Sequence, residues 1–342
     1  MTMVENTDFI EIQKHLSFPR RILITTHTNP DGDAIGASLA LFTYLAKKNH
    51  SVTVMVPDPF PDFLSWMPGT EKILIFKHQQ ELCLNVIEHA ELIFCVDYNS
   101  LSRINDAGKF ILSAKALKIL IDHHLYPSDH FDLKISIVKT SSTSELIYDF
   151  IVGQGDSHLL DKSIAECLYA GIVTDTGSFS YSCNSVKTYL IVADLFRIGI
   201  DGEYIHRQIY DTYSEGRLRL LGYSISDKLV VLPYYHTAYI ALSQEDLMRF
   251  NYQVGDTEDV VNYALSMRNI NLAALFMERD DMVKVSFRSK GQFSVDEIAR
   301  NYFGGGGHSN AAGANCNTSL EETIKKFVDL LPNIYKQLEF VY

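Results

Sequence analysis

Short, continuous runs of apolar residues alternate with helical stretches along the first half of the chain. The runs predict strands over residues 22–26, 52–56, 73–76, 92–96 and 117–121. Helices are expected at about 8–16, from Ala34 onward, after a cap at Ser142 and Thr143, and over 164–172. Strands of this kind, separated by helices, are typical of parallel pairing. The pattern therefore predicts an α/β fold with a doubly wound, mostly parallel sheet.

The pattern changes after a charge-rich helical stretch over residues 186–223. Strands are then expected at 229–232, 238–242, 272–277 and 283–288, and helices at 243–249, 256–268, 294–302 and 319–338. The last two strands read as a hairpin across residues 278–281. We expect a catalytic domain over 1–190, a helical linker over 191–225 and a smaller α/β domain over 226–342.

Composition narrows the class of protein. The 342 residues are 46% hydrophobic and 21% charged, with a formal net charge of −12, which is ordinary for a globular protein but unfavourable for gripping duplex DNA. The five cysteines are scattered and read as reduced thiols, so a cytoplasmic location is expected. We expect neither a signal peptide nor a membrane span.

Acidic and imidazole side chains follow the predicted strands and helices, at His27, Asp31, Asp33, Asp97, His123, His124 and Asp175. The carboxyl ends of parallel strands are where open α/β sheets bind ligands. Any one of these aspartates could merely cap a helix. Together they suit two divalent ions, Mn²⁺ or Mg²⁺, that share a carboxylate and activate a water or hydroxide.

A second candidate site lies near the carboxyl end of the chain. Consecutive glycines, Gly304, Gly305, Gly306 and Gly307, could let backbone N–H groups surround an anion, with a flexible surface turn as the alternative. His308 and the planar fork of Arg288 could add phosphate contacts, and Arg268 is a weaker candidate for the same cluster.

Motifs along most of the chain resemble one family. The segments HTNPDGDAIGAS, FCVDYNSLSR, LIDHHLYP, SSTSE and YAGIVTDTGSFSY are similar, in order and spacing, to the DHH phosphoesterase superfamily. The segment SFRSKGQFSVDEIARNYFGGGGHSNAAGA resembles the DHH-associated domain with its GGGH signature. The resemblance covers about residues 20–330 and is nearest to the nanoRNase/pAp phosphatase branch.

The resemblance implies roles for the candidate residues. The first metal ion would be held by His27, Asp31 and Asp97, and the second by Asp33, Asp97, His123 and Asp175, with Asp97 as the bridge. His124 would face the scissile phosphate, and Asp122 would orient a histidine of the motif. Arg103 matches an arginine of the family, with a solvated salt bridge as an equally good alternative. Ala37 departs from the family, which commonly has serine there.

The resemblance also implies a function. The expected activity is metal-dependent hydrolysis of very short oligoribonucleotides, or of the 3′-phosphate of adenosine 3′,5′-bisphosphate (pAp), in a cleft between the domains. Hydrolysis of linear or cyclic dinucleotides is the enzymatic alternative, and a non-catalytic nucleotide-binding regulator is the alternative of another class. Expected partners are short single-stranded RNA or a small nucleotide, with no duplex DNA and no membrane. A homodimer is left open.

Overall fold

A computed structural model describes residues 7–279 and 282–338. The chain divides into two compact units, of which the first ends at Thr212 and the second begins at Tyr213. Ile191, Leu195, Ile205 and Ile209, from the stretch expected as a linker, pack into the core of the first unit. Leu220 packs in the second.

The first unit is built on a six-stranded, wholly parallel sheet. Its strands are β1 (Arg21–Thr25), β2 (Ser51–Val56), β3 (Leu74–Ile75), β4 (Leu92–Val96), β5 (Leu117–Asp122) and β6 (Leu133–Ser136). They lie in the order β3-β2-β1-β4-β5-β6, so that β1 pairs with both β2 and β4. The strand order reverses at that point, and such a switch is where ligands bind in open α/β sheets. The predicted parallel sheet is confirmed; β6 was not predicted.

Helices cover both faces of this sheet. They are α1 (Thr7–His15), α2 (Gly32–Lys47), α3 (Gln80–His89), α4 (Ala107–Ser113), α5 (Thr143–Gly153), α6 (Lys162–Asp175), α7 (Val186–Ile198) and α8 (Gly202–Tyr210). Ile22 and Ile24 of β1 face one core, formed with α1, α2 and α5 to α8. Leu23 faces the other, with α3 and α4. A strand buried on both faces needs apolar residues at every position, which explains the continuous runs.

Close helix packing brings α2 against α6. A Cβ atom at Gly32 would lie 2.4 Å from Thr174 Oγ1, and one at Gly36 would lie 2.4 Å from the Cys167 carbonyl oxygen. Both positions therefore require glycine. Ala37, on the same helix, is fully buried in the apolar core.

The second unit contains a mixed six-stranded sheet and five helices among its described residues. The strands are β7 (Leu229–Leu232), β8 (Thr237–Leu242), β9 (Leu272–Arg279), β10 (Met282–Ser289), β11 (Gly306–His308) and β12 (Ala311–Cys316), and the helices are α9 (Glu215–Ser226), α10 (Gln244–Arg249), α11 (Val260–Leu265), α12 (Val295–Phe303) and α13 (Leu320–Leu338). The order is β11-β12-β10-β9-β8-β7. Strands β9 and β10 pair antiparallel as expected, although residues 280–281 of the hairpin lie outside the described residues.

Two further sequence expectations concern thiols and membranes. All five cysteines are free, and four of them are buried. Across residues 7–279 and 282–338, no helix has the length and hydrophobicity to cross a bilayer.

Candidate metal centre

The turn after β1 presents the first ligands. Asp31 caps α2, and its Oδ1 accepts hydrogen bonds from the N–H groups of Asp33 (3.1 Å) and Ala34 (3.0 Å). Its Oδ2 lies 3.8 Å from His27 Nε2. His27 Nδ1 lies 2.8 Å from the Thr28 carbonyl oxygen, an acceptor that fixes the proton on Nδ1 and leaves Nε2 for a metal ion.

Asp97 lies directly after β4 and is almost fully buried. Its Oδ2 is 3.3 Å from His27 Nε2, while its Oδ1 is 3.5 Å from His123 Nε2. Its backbone adopts φ +64°, a left-handed conformation that is uncommon outside glycine. Aspartate tolerates this conformation better than most residues, and it occurs in turns and at active sites. Asp97 therefore turns one oxygen toward each of two histidines.

The end of β5 supplies the histidine pair. His123 Nε2 is 3.4 Å from Asp175 Oδ2 and 3.9 Å from Asp33 Oδ2. Asp122, fully buried, accepts hydrogen bonds from the backbone N–H of His124 (3.1 Å) and from His124 Nδ1 (2.7 Å). Asp122 thus orients the ring of His124.

The carboxylate of Asp33 accepts hydrogen bonds from the first turn of another helix, α5. Its Oδ2 accepts the N–H of Thr143 at 2.6 Å, and its Oδ1 accepts the N–H of Ser144 at 2.8 Å, in the first turn of α5. The partial positive charge of a helix N-terminus favours a carboxylate there. The Thr143 hydroxyl also donates to Asp97 Oδ1 at 2.8 Å. Sequence reasoning treated Thr143 only as a helix cap; the SSTSE motif was the one available signal for these contacts.

Two compact groups of donor atoms contain the predicted metal ligands. His27, Asp31 and Asp97 offer one set of ligand atoms within 4.8 Å of one another, and Asp33, His123 and Asp175 offer another. Each combines carboxylate oxygens with one imidazole, a donor set that suits Mn²⁺ or Mg²⁺. The residues present therefore fit divalent metal ions.

Burial and charge act in opposite directions on the acidic groups. Burial, with the nearby charge of Asp97, raises the pKa of Asp33 well above its usual range. Burial would also raise the pKa of Asp97, but the hydrogen bond with His27 and the positive charges around it lower this pKa to about 2. Burial raises the pKa of Asp122 to about 7. A bound cation would favour the ionised form of each carboxylate.

The second unit holds the predicted phosphate-binding residues. Arg288 on β10 pairs with Ala311 on β12, and Ala311 pairs with His308 on β11. Directly paired residues lie on the same face of a sheet, so Arg288 and His308 flank Ala311 on one face. Arg268 is exposed and lies beyond the end of α11.

The glycine run differs from the expected open loop. Gly304 ends α12 with φ +68°, and Gly306 and Gly307 belong to β11. The N–H of Gly305 donates to the Ala299 carbonyl, and that of Gly307 to Asp296 Oδ1, so neither is available to an anion. A Cβ at Gly305 would lie 2.0 Å from the Gly313 carbonyl oxygen. Close strand approach, rather than an anion nest, explains the need for glycine here.

Comparisons with known proteins agree with this architecture. The model of the DHH family, N-terminal domain, matches residues 21–172, and that of the DHHA1 domain matches residues 234–337. The chain is 30% identical over 299 residues to the probable bifunctional oligoribonuclease and PAP phosphatase NrnA of Streptococcus mutans, covering 86% of this chain and 89% of that protein. It is 28% identical over 322 residues to the bifunctional oligoribonuclease and PAP phosphatase NrnA of Bacillus subtilis, covering 94% and 96%.

A solved structure is similar over nearly the whole length. The crystal structure of an exopolyphosphatase-related protein from Bacteroides fragilis superposes with a TM-score of 0.91 at 40% identity, and 97% of each chain is covered. The paired domains, their order and the full-length relatives agree with one another. The chain belongs to the DHH family, and it is a phosphoesterase of that family with a DHHA1 domain.

Proposed function

We propose that this protein hydrolyses very short oligoribonucleotides to mononucleotides and removes the 3′-phosphate of pAp. It would use two divalent metal ions for both reactions, with Mn²⁺ preferred to Mg²⁺. The main supporting observation is the position of the Asp97 carboxylate between two groups of donor atoms. One of its oxygens faces His27, and the other faces His123. The names of the relatives in Streptococcus mutans and Bacillus subtilis support the substrate class.

His27, Asp31 and Asp97 would hold one ion, and Asp33, His123 and Asp175 would hold the other together with Asp97. Such a pair of ions supplies an activated water and neutralises charge on the phosphoryl group. The protein's own part is to fix the ligands. Asp31 is fixed by the helix cap, Asp33 by two amides of α5, and His27 by its carbonyl acceptor.

His124 is proposed to act on the substrate. Its Nδ1 bonds to Asp122, so a proton given to the scissile phosphate or to the leaving oxygen would come from Nε2. Exchange of His124 for glutamine is expected to lower kcat by about 10²–10⁴-fold, the usual contribution of a proton donor, with Mn²⁺ affinity retained.

The second unit is proposed to select short substrates. Arg288 and His308, with Arg268 as a weaker candidate, would hold the substrate's far phosphate. The glycine run Gly304–Gly307 is left out of this role, because the N–H groups of Gly304, Gly305 and Gly307 already donate within the second unit. Arg288→Gln is expected to raise KM more than it lowers kcat, whereas Arg219→Gln, which alters an exposed pair with Glu215, is the matched control.

The experiment is a substrate panel with the full chain and each metal ion. Di- to pentanucleotides, pAp, the linear dinucleotide pApA and cyclic di-AMP are each incubated with Mn²⁺ or Mg²⁺, and mononucleotide and phosphate release are measured. Release from short RNA and pAp supports the proposal. Hydrolysis confined to pApA or cyclic di-AMP would support the dinucleotide alternative, and no release from any substrate would refute the assignment. Asp106→Ala, at an exposed site paired with Lys109, controls for unspecific loss.

A further inference from the structure

Arg103 lies beside the metal centre in a segment that is held on both sides. It belongs to a single turn of 3-10 helix, Leu101–Ile104, six residues beyond Asp97. Its carbonyl oxygen accepts the N–H of Thr28, next to His27, at 2.8 Å. The side chain of Asn99 donates to the carbonyl oxygen of Leu125, the residue after His124. The chain around Arg103 is thereby bonded to the residue after His27 and to the residue after His124.

The guanidinium of Arg103 has no acidic partner among the described residues. No carboxylate oxygen in residues 7–279 and 282–338 lies within 4.0 Å of it, so the structure gives no support, within these residues, to the alternative of a solvated salt bridge. Its Nη1 atom is buried and has no hydrogen-bond acceptor in the part of the chain that the structure describes. A buried charged donor without an acceptor is costly, and native proteins seldom leave one unpaired.

The charge of Arg103 acts on several groups of the centre. It lowers the pKa of Asp97 and of Asp122, and it also acts on His27 and His123. Metal ions on these carboxylates would cancel the negative charge that Arg103 now faces. The guanidinium would then still lack a hydrogen-bond acceptor. An anion such as phosphate can supply one, because its oxygens accept two parallel N–H bonds from the planar guanidinium.

We propose that Arg103 is a phosphate-binding residue of this centre, whose Nη1 donates to a non-bridging oxygen of the phosphoryl group undergoing hydrolysis. This inference rests on the proposed function and adds one protein donor to it. The 3-10 turn, its backbone bond to Thr28 and the nearby side-chain bond of Asn99 fix the backbone that carries the guanidinium before substrate arrives. Such preorganised donors stabilise charge that develops in the transition state.

The test uses the Mn²⁺-loaded full chain and inorganic phosphate as the probe. Wild type, Arg103→Gln, Arg103→Lys and the control Arg197→Gln are compared by calorimetry for Mn²⁺ and then for phosphate. Arg197 is exposed and pairs with Asp194, away from the candidate ligands. Hydrolysis of pAp and of a dinucleotide gives kcat and KM for each variant.

Arg103→Gln is expected to weaken phosphate binding at least tenfold and to lower kcat/KM by about 10²–10³-fold, while Mn²⁺ affinity stays within threefold. Arg103→Lys should fall between it and wild type, because the charge remains but the fork is lost. If circular dichroism shows that Arg103→Gln is unfolded, the phosphate affinity of Arg103→Lys is used for the test instead.

Unchanged phosphate binding in the Arg103 variants would overturn the inference. A loss of phosphate binding that merely follows a loss of Mn²⁺ would overturn it too, since Arg103 would then act only on the ligands. A wild type that hydrolyses neither ester but binds phosphate through Arg103 would refute the proposed function and the role of Arg103 in hydrolysis, and would show only that Arg103 binds phosphate.

Discussion

Gly171 is where three helices meet behind the metal centre, and its replacement by alanine tests the geometry of Asp33. A Cβ atom at this position of α6 would lie 2.0 Å from Ser144 Oγ and 2.8 Å from Asp33 Oδ1. Ordinary contacts begin near 3.4 Å, so Ser144 must retreat by about 1.4 Å and Asp33 by about 0.6 Å. The methyl group therefore separates Asp33 from the amides that now bond to it.

The magnitude follows from what is lost. Overpacking costs about 1–3 kcal/mol, and each hydrogen bond to a buried carboxylate contributes about 1.5–3 kcal/mol. Because Asp33 partly follows the moving helix, we expect Gly171→Ala to lower the free energy of unfolding by about 2–4 kcal/mol. Misplacing a ligand should lower the affinity for the metal ion at Asp33, His123 and Asp175 by about 10–100-fold. The affinity for the other ion should fall less.

The assay combines urea unfolding with calorimetric titration of Mn²⁺. Gly222→Ala is the matched control, since that helical glycine has no atom within 4 Å of the added Cβ and the change should be neutral or stabilising. The double variant Gly171→Ala/Ser144→Ala removes the nearest clashing atom and should recover part of the loss. Wild-type stability and two wild-type Mn²⁺ affinities in Gly171→Ala would refute the reasoning.

Three other predictions address charge and burial. Asp97→Ala should reduce hydrolysis at least about 10³-fold and weaken both ions, because both donor groups use this side chain; retained activity would disprove the two-metal assignment. The raised pKa of Asp122, about 7 instead of 3.8, contributes stability that is fully present below pH 3.8 and lost as the pH rises through 7. Urea unfolding of the metal-free protein should show this loss, at most about 4 kcal/mol, and Asp122→Asn should reduce it. The hydroxyls of Ser141 and Thr188 each donate to the Glu145 carboxylate at 2.7 Å, and Glu145→Ala removes this acceptor. The free energy of unfolding should fall by about 2–4 kcal/mol in chemical denaturation. An unchanged midpoint would contradict this prediction.

Local pattern predicted most of the architecture because each element carries its own signal. The strands β1, β4 and β5 are buried over most of their length, and the apolar runs in β1, β2, β4 and β5 predicted strands directly. Strand β6 has only one fully buried residue, and β11 is made of glycine and histidine, so neither has a strand pattern. The predicted helix ended three residues before the end of α6, which placed Asp175 in a loop rather than at the helix end.

The sequence by itself determined that carboxylates and imidazoles follow successive strands, since residue type and spacing are local properties. Only the tertiary structure decided which of them meet. The strand order β2-β1-β4-β5 sets Asp97 between His27 and His123. One oxygen of its carboxylate lies near each histidine. The amides that receive Asp33 come from a helix more than a hundred residues away, and the missing partner of Arg103 is a property of the packed protein alone. Contacts between distant segments depend on how the whole chain folds, and no local pattern encodes them.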